Sequence, residues 1–365
     1  MNIYEKTGLQ KVINASGKMT ILGGSVLADK TAEAFKEGSQ NYVVIDRLMD
    51  KAGEIISRYT EGEASCVTSS ASSGIAIAIA AVVAGENLLY VENIHSFDIE
   101  KREIIIQKGH VVNYGASVKT MIELGGGILR EIGQSNQTDS EHIERAINEK
   151  TAGIFYVKSH HAVQKGMLSL EETIKIGNKY NIPVIIDAAA EEDLKKYVKA
   201  GADMVIYSGS KAVEGPASGF ITGKKKLIKK CKLQYKGIGR AMKVDKGIIM
   251  ALLEALELYS KKDEHKIETV VRKKVENLAK MLKELPHVKS GIIKDEAGRE
   301  IYRAELWLGE DSSKSAEELI KELESGNPAI YTRNYYKNQG KIHFDLRSVS
   351  EEELELIHKR LKEIL

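Results

Sequence analysis

Residues 182 to 219, IPVIIDAAAEEDLKKYVKAGADMVIYSGSKAVEGPASG, constrain the fold more than any other stretch. An apolar run, Val184-Ile185-Ile186, ends on an acid, Asp187. A second run, Met204-Val205-Ile206-Tyr207, ends in the small-residue loop Ser208-Gly209-Ser210-Lys211, and an amphipathic segment joins the two. Two short β-branched runs separated by a helical pattern make a βαβ unit with parallel, buried strands. Ligands in such sheets sit beyond the carboxyl ends of the strands. Asp187 and Lys211 are therefore expected at one edge, a strand apart.

The same alternation recurs around this stretch. Strands are predicted at 88–91, 110–113, 128–132 and 153–157, and helices at 26–36, 45–59, 98–108, 139–150 and 168–180. Repeated βα order predicts an α/β fold with a mostly parallel, doubly wound sheet. From about residue 237 the character changes to long helices, 245–259 and 266–285, followed by short strands and helices that read as a smaller α+β domain. The expected division is an N-terminal arm over 1–25, a large domain over 26–240 and a small C-terminal domain over 241–365.

An acid and a lysine at one sheet edge suit pyridoxal phosphate. The lysine binds the aldehyde as a Schiff base, and the acid keeps the ring nitrogen protonated so that the ring accepts electrons. Hydroxyls at Ser208 and Ser210 can hydrogen-bond the cofactor phosphate. A second phosphate element lies upstream, where Ser69, Ser70, Ser72 and Ser73 precede the alanine-rich run at 74–84. Alternating Ile and Ala at 75–80 has a strand-like period, yet serines before an apolar run cap a helix, and free amides at a helix start bind phosphate. Ser70, Ala71 and Ser72 are the residues expected there. His95, His160 and His161 each end a predicted strand at the active edge; one of them, with His161 taken forward, is expected to stack on the ring or relay protons.

These segments resemble the L-seryl-tRNA(Sec) selenium transferase family of fold-type-I pyridoxal-phosphate enzymes. The resemblance is carried by Asp187, by ADMVIYSGSKAVEGPASGFITGKKKLI (202–228), and by GGGILREIGQSNQT (125–138). RAMKVDK (240–246), KIHFDLRSVSEEEL (341–354) and VINASGKM (12–19) extend it along nearly the whole chain. It implies that Lys211 holds the cofactor and Asp187 faces its ring nitrogen. It also implies an arginine of the small domain for the substrate carboxylate, which the FDLRSV segment places at Arg347. Arg333, Arg240 and Lys243 are further candidates, for a second acidic group such as a substrate phosphate. A subunit count of at least two is implied as well.

Two features point away from selenium transfer. The bacterial transferases carry an N-terminal helical tRNA domain before the segment corresponding to 12–19, where this sequence starts almost directly. They also show an arginine after that segment, where this chain reads Thr20-Ile21-Leu22-Gly23-Gly24-Ser25. The chain is closer to the short branch that resembles D-glucosaminate-6-phosphate ammonia-lyase, which implies release of ammonia from a small amino acid or amino sugar acid. Selenium or sulfur transfer on seryl-tRNA, and racemisation, aldol cleavage or transamination, are the alternatives.

Composition narrows partners and compartment. The 54 Lys and Arg against 52 Asp and Glu leave a net charge of +2, which gives no argument for a nucleic-acid surface. The longest apolar stretch, 75–84, is about half of a membrane span. Cys66 and Cys231 are read as reduced structural thiols of a cytoplasmic protein. No metal is expected.

Overall fold

The computed structural model describes residues 3–159, 161–295, 300–309 and 311–365. The chain divides into two compact units, one of residues 26–261 and one assembled from 1–25 together with 262–365. The strands, in chain order, are β1 (Val12–Ala15), β2 (Ala64–Thr68), β3 (Glu103–Gln107), β4 (Ile128–Ile132), β5 (Thr151–Val157) and β6 (Val184–Asp187). They continue as β7 (Met204–Ser208), β8 (Gly219–Gly223), β9 (Val288–Lys294), β10 (Tyr302–Leu308), β11 (Ala329–Thr332) and β12 (Lys341–Phe344).

The larger unit is built on a seven-stranded sheet among the described residues, in the order β2-β8-β7-β6-β5-β3-β4. Strands β4, β3, β5, β6 and β7 run parallel, while β8 is antiparallel to both β7 and β2. Its central strands β5, β6 and β7 are buried at every position because both faces are covered. Ile105, Ile154, Ile186, Val205 and Tyr207 face one core with Leu48, Ile56, Ile174 and Leu252 from three helices, Ile45–Thr60, Leu170–Tyr180 and Lys246–Ser260. Ile104, Ile106, Phe155, Ile185 and Ile206 face the other core with Ile75, Ile77 and Ile79 of the helix Ala71–Val83. That helix is apolar all round and almost wholly buried, so its Ile-Ala alternation reflects burial on every side rather than a strand.

Several expectations are corrected. Residues 88–91 form the helix Leu88–Glu92 rather than a strand, because Asn87 caps it by accepting from the Leu89 amide at 3.0 Å. The helix expected over 98–108 is instead β3, whose Ile104-Ile105-Ile106 run is buried on both faces. Residues 110–113 run from the end of the short 3-10 segment Lys108–His110 through irregular chain to a single bridge at Asn113, and form no strand. The unanticipated β2 and β8 make the sheet mixed at one side.

The boundary also moves. The helix Lys246–Ser260 packs on Asp29–Gln40 inside the larger unit, through Gly38 and Gly247, where a Cβ on Gly38 would lie 3.0 Å from the Gly247 Cα. Residues 1–25 are more than an arm. β1 pairs in parallel with β11, and Ile13 and Ala15 are completely buried in the smaller unit's core. That unit also carries the antiparallel sheet β12-β10-β9.

Candidate active site

The parallel register puts Asp187 opposite Val157 on one side and Ile206 on the other, at the carboxyl edge of the sheet. Its side chain is buried and accepts the Ala189 amide at 3.1 Å. Burial pushes its pKa up, and the positive charge of Lys211 and that amide pull it down less strongly, leaving it raised. A buried carboxylate of this kind is at ease as an anion only with a cation beside it. Lys211 is half-buried on the loop that leaves β7, close enough to interact with Asp187 electrostatically.

That loop is tied down. The Gly209 amide donates to the Ser218 carbonyl at 2.9 Å, the Gly215 amide to the Gly209 carbonyl at 2.7 Å, and the Ser208 and Ser210 hydroxyls lie 3.3 Å apart. Gly219 in β8 sits in register between Thr68 and Ser208, so the start of the helix Ala71–Val83 and the lysine loop flank it. A Cβ on Gly219 would meet the Ser70 carbonyl carbon at 2.6 Å and the Ala71 nitrogen at 2.7 Å. Only glycine admits so close an approach.

At the helix start, Ser70 is committed to a capping box: its hydroxyl accepts the Ser73 amide at 3.0 Å, and the Ser73 hydroxyl accepts the Ser70 amide at 2.9 Å. The amides of Ala71 and Ser72 have no partner within the helix, as at any helix start. Tyr114, which sequence reasoning passed over, completes the surroundings. Its phenol is pushed up to about 12 by burial and by the Asp187 charge, and it lies toward Ser72 without a hydrogen bond of ordinary geometry. His110 was also missed. It is fully buried, edge-on to Tyr156 at 4.5 Å, and accepts the Val157 amide at Nδ1; burial lowers it to about 4, so it is neutral at physiological pH.

The structure thus gathers Asp187, Lys211, Ser208, Ser210, Ala71 and Ser72 on one side of the larger unit's sheet. These features fit pyridoxal phosphate: free helix amides and an orphaned phenol for a phosphate, and a buried carboxylate for a ring cation. His161 is exposed on the loop after β5, where its amide donates to the Ser159 hydroxyl at 3.2 Å. His95 follows a helix instead of ending a strand, and its Nε2 lies 3.1 Å from the Leu124 carbonyl. His160 lies outside the described residues. Arg240 and Lys243 are exposed in and just after the 3-10 segment Ile238–Met242 of the larger unit.

Arg347 and Arg333 belong to the smaller unit. Arg347 follows β12 and grips the fully buried Asp345 through Nε and Nη2, both at 2.9 Å. Arg303 donates to the same carboxylate at 3.2 Å and to Asp295 at 2.9 Å. Gly17 of VINASG, at φ +93°, closes over this cluster, since a Cβ there would lie 2.8 Å from the Asp345 carboxylate. Arg333 is half-buried, with its guanidinium 4.8 Å from the Tyr335 ring centre.

Both cysteines are buried and unbridged, and the Cys231 thiol is pushed well up by the Cys66 thiol beside it and by burial. Among the described residues, no His, Cys, Asp and Glu cluster could hold a metal, and no helix is long and apolar enough to cross a membrane.

This fold and edge define a fold-type-I enzyme that uses pyridoxal phosphate, and distant aminotransferase structures share the fold at about 15% identity. Residues 12–296 match the L-seryl-tRNA selenium transferase family, and the chain belongs to it. It is 44% identical over 364 residues to D-glucosaminate-6-phosphate ammonia lyase of Salmonella typhimurium, covering 100% of this chain and 98% of that protein. A solved structure of D-glucosaminate-6-phosphate ammonia-lyase superposes with a TM-score of 0.93, again at 44% identity, over 100% of this chain and 98% of that one. The 5'-C-glycyluridine monooxygenase-decarboxylase of a Streptomyces species is 36% identical, over 99% of this chain and 92% of that protein.

Proposed function

We propose that this protein is a pyridoxal-phosphate-dependent ammonia-lyase. It acts on a small amino acid or amino sugar acid of the D-glucosaminate-6-phosphate kind, removing the β-hydroxyl and the amino group to leave a 2-keto acid. The observation that carries the reading is Lys211 set against the buried Asp187 in a chain that aligns end to end with such a lyase.

When bound, the cofactor supplies an electron sink for negative charge at the substrate Cα. Asp187 holds the ring nitrogen protonated. Lys211 would hold the cofactor through its Nζ, and the same Nζ, once free, would move the proton at the substrate Cα. Ala71, Ser72, Ser208 and Ser210, with the turn capped by Ser70, seat the phosphate. His161 is assigned to stacking on the ring or relaying protons. Loss of the β-hydroxyl leaves an unsaturated amine, and water converts it to keto acid and ammonia, so the overall reaction is balanced without an oxidant. Arg347, oriented by Asp345, takes the substrate carboxylate. Arg333, Arg240 and Lys243 are assigned to a second acidic group such as a substrate phosphate.

We also assign the protein to the cytoplasm as a homodimer or larger assembly. Four consecutive apolar residues, Tyr42, Val43, Val44 and Ile45, are exposed on the larger unit, an arrangement a second copy would cover. The test is a screen of amino acids and amino sugar acids, with and without phosphate, read as ammonia and keto acid. Lys211→Ala should abolish both products. Release of neither product from any of these substrates by the cofactor-loaded protein would refute the proposal, and binding of seryl-tRNA would favour selenium or sulfur transfer instead.

A further inference from the structure

Tyr114 stands at the tip of a tightly held turn. Asn113 bridges to Ser117, the Tyr114 amide donates to the Ala116 carbonyl at 3.1 Å, and the Gly115 amide donates to the Asn113 side chain at 2.9 Å. Gly115 has φ +114°, which fixes the turn in a form few other residues adopt. The ring packs against the apolar core on the side of the helix Ala71–Val83. The hydroxyl at its end is buried and has no hydrogen-bond partner among the described residues. A rigid, shielded donor left unmatched is unusual in a folded protein and asks for a missing acceptor.

The neighbours of the hydroxyl say what that acceptor is. Ser72 lies beside it, at the helix start whose own amides are unpaired, and Asp187 is close enough to act on it through its charge. We infer that the Tyr114 hydroxyl donates a hydrogen bond to the cofactor's phosphate seated at the start of the helix Ala71–Val83. This rests on the reading that the helix start is the phosphate seat. Asp187 is the poorer acceptor, because its carboxylate must face a ring cation. Burial and that carboxylate keep the phenol protonated, so it serves as a donor throughout the neutral range. A neutral donor suits this place better than a lysine, whose charge would compete with the ring nitrogen for Asp187.

The experiment compares apoprotein titrated with pyridoxal 5'-phosphate and with pyridoxal, which lacks the phosphate, for the wild type and Tyr114→Phe, read by visible absorbance. The phenylalanine keeps the ring in the core, and thermal unfolding of the apo variant should match or exceed that of the wild type. Tyr114→Phe should raise the Kd for pyridoxal 5'-phosphate about tenfold and leave that for pyridoxal unchanged. An unchanged Kd for the phosphorylated form, or an equal rise for both, overturns the assignment of Tyr114. Wild-type protein that binds the two forms equally would instead refute the phosphate seat itself.

Discussion

Two buried aspartates are pushed in opposite directions, and the difference lies in what faces them. Asp345 meets two guanidiniums. Burial alone would raise its pKa, but Arg347, through its charge and hydrogen bonds, and Arg303 outweigh burial and hold it at about 2. A carboxyl lowered on folding stabilises the fold above its unfolded pKa, and that contribution is lost as pH falls from about 4 toward 2. The expected loss is about 2 kcal/mol over that window. Asp345→Asn should lack this acid step and be less stable at neutral pH by about 3–5 kcal/mol, read by denaturant unfolding. Asp187 has Lys211 nearby and remains raised. Its protonated form is favoured in the fold, so its contribution is present at low pH and lost as pH rises through its folded pKa. Asp187→Asn should therefore stabilise the apoprotein at neutral pH while lowering turnover of the loaded enzyme by at least about a hundredfold. Parallel thermal unfolding and ammonia-release assays would check both halves.

At the scale of elements, the site depends on how closely β8 approaches the helix Ala71–Val83. Gly219 sits between Thr68 and Ser208 in register, and the Ser70–Ala71 peptide lies where its side chain would be. Gly219→Ala should push the helix start outward, at a cost of about 1–3 kcal/mol in stability. Cofactor affinity should fall further than stability, because the displaced amides are those that face the phosphate. A cofactor titration alongside a melting curve checks this. The strand-helix-loop order around 182–211 was legible because the strands are short, β-branched and bounded by polar segments. β3 was not, because Glu103-Ile104-Ile105-Ile106-Gln107 is too short to separate a buried strand from a helical turn by its pattern. β8 was hidden by its two glycines, whose value lies in close packing that no local pattern records.

For the whole molecule, the chain ends matter more than their position suggests. β1 supplies Ile13 and Ala15 to the smaller unit's core and pairs with β11, more than 300 residues away. Ile13→Ala should cost about 2–5 kcal/mol of that unit's stability, measured by thermal unfolding, because the site it leaves is fully enclosed. Sequence by itself determined the alternation of strand and helix, the acid that ends one strand and the lysine on the loop after the next, and the serine cap before an apolar helix. These follow from local periodicity and capping chemistry, which neighbouring residues carry. Tertiary structure alone decided that residues 12–15 join the far end of the chain, that Arg303 reaches Asp345, and that Tyr114 lies by Ser72 and Asp187. Those pairings join residues far apart in sequence, and burial, close approach and charge balance selected them only once the chain was folded.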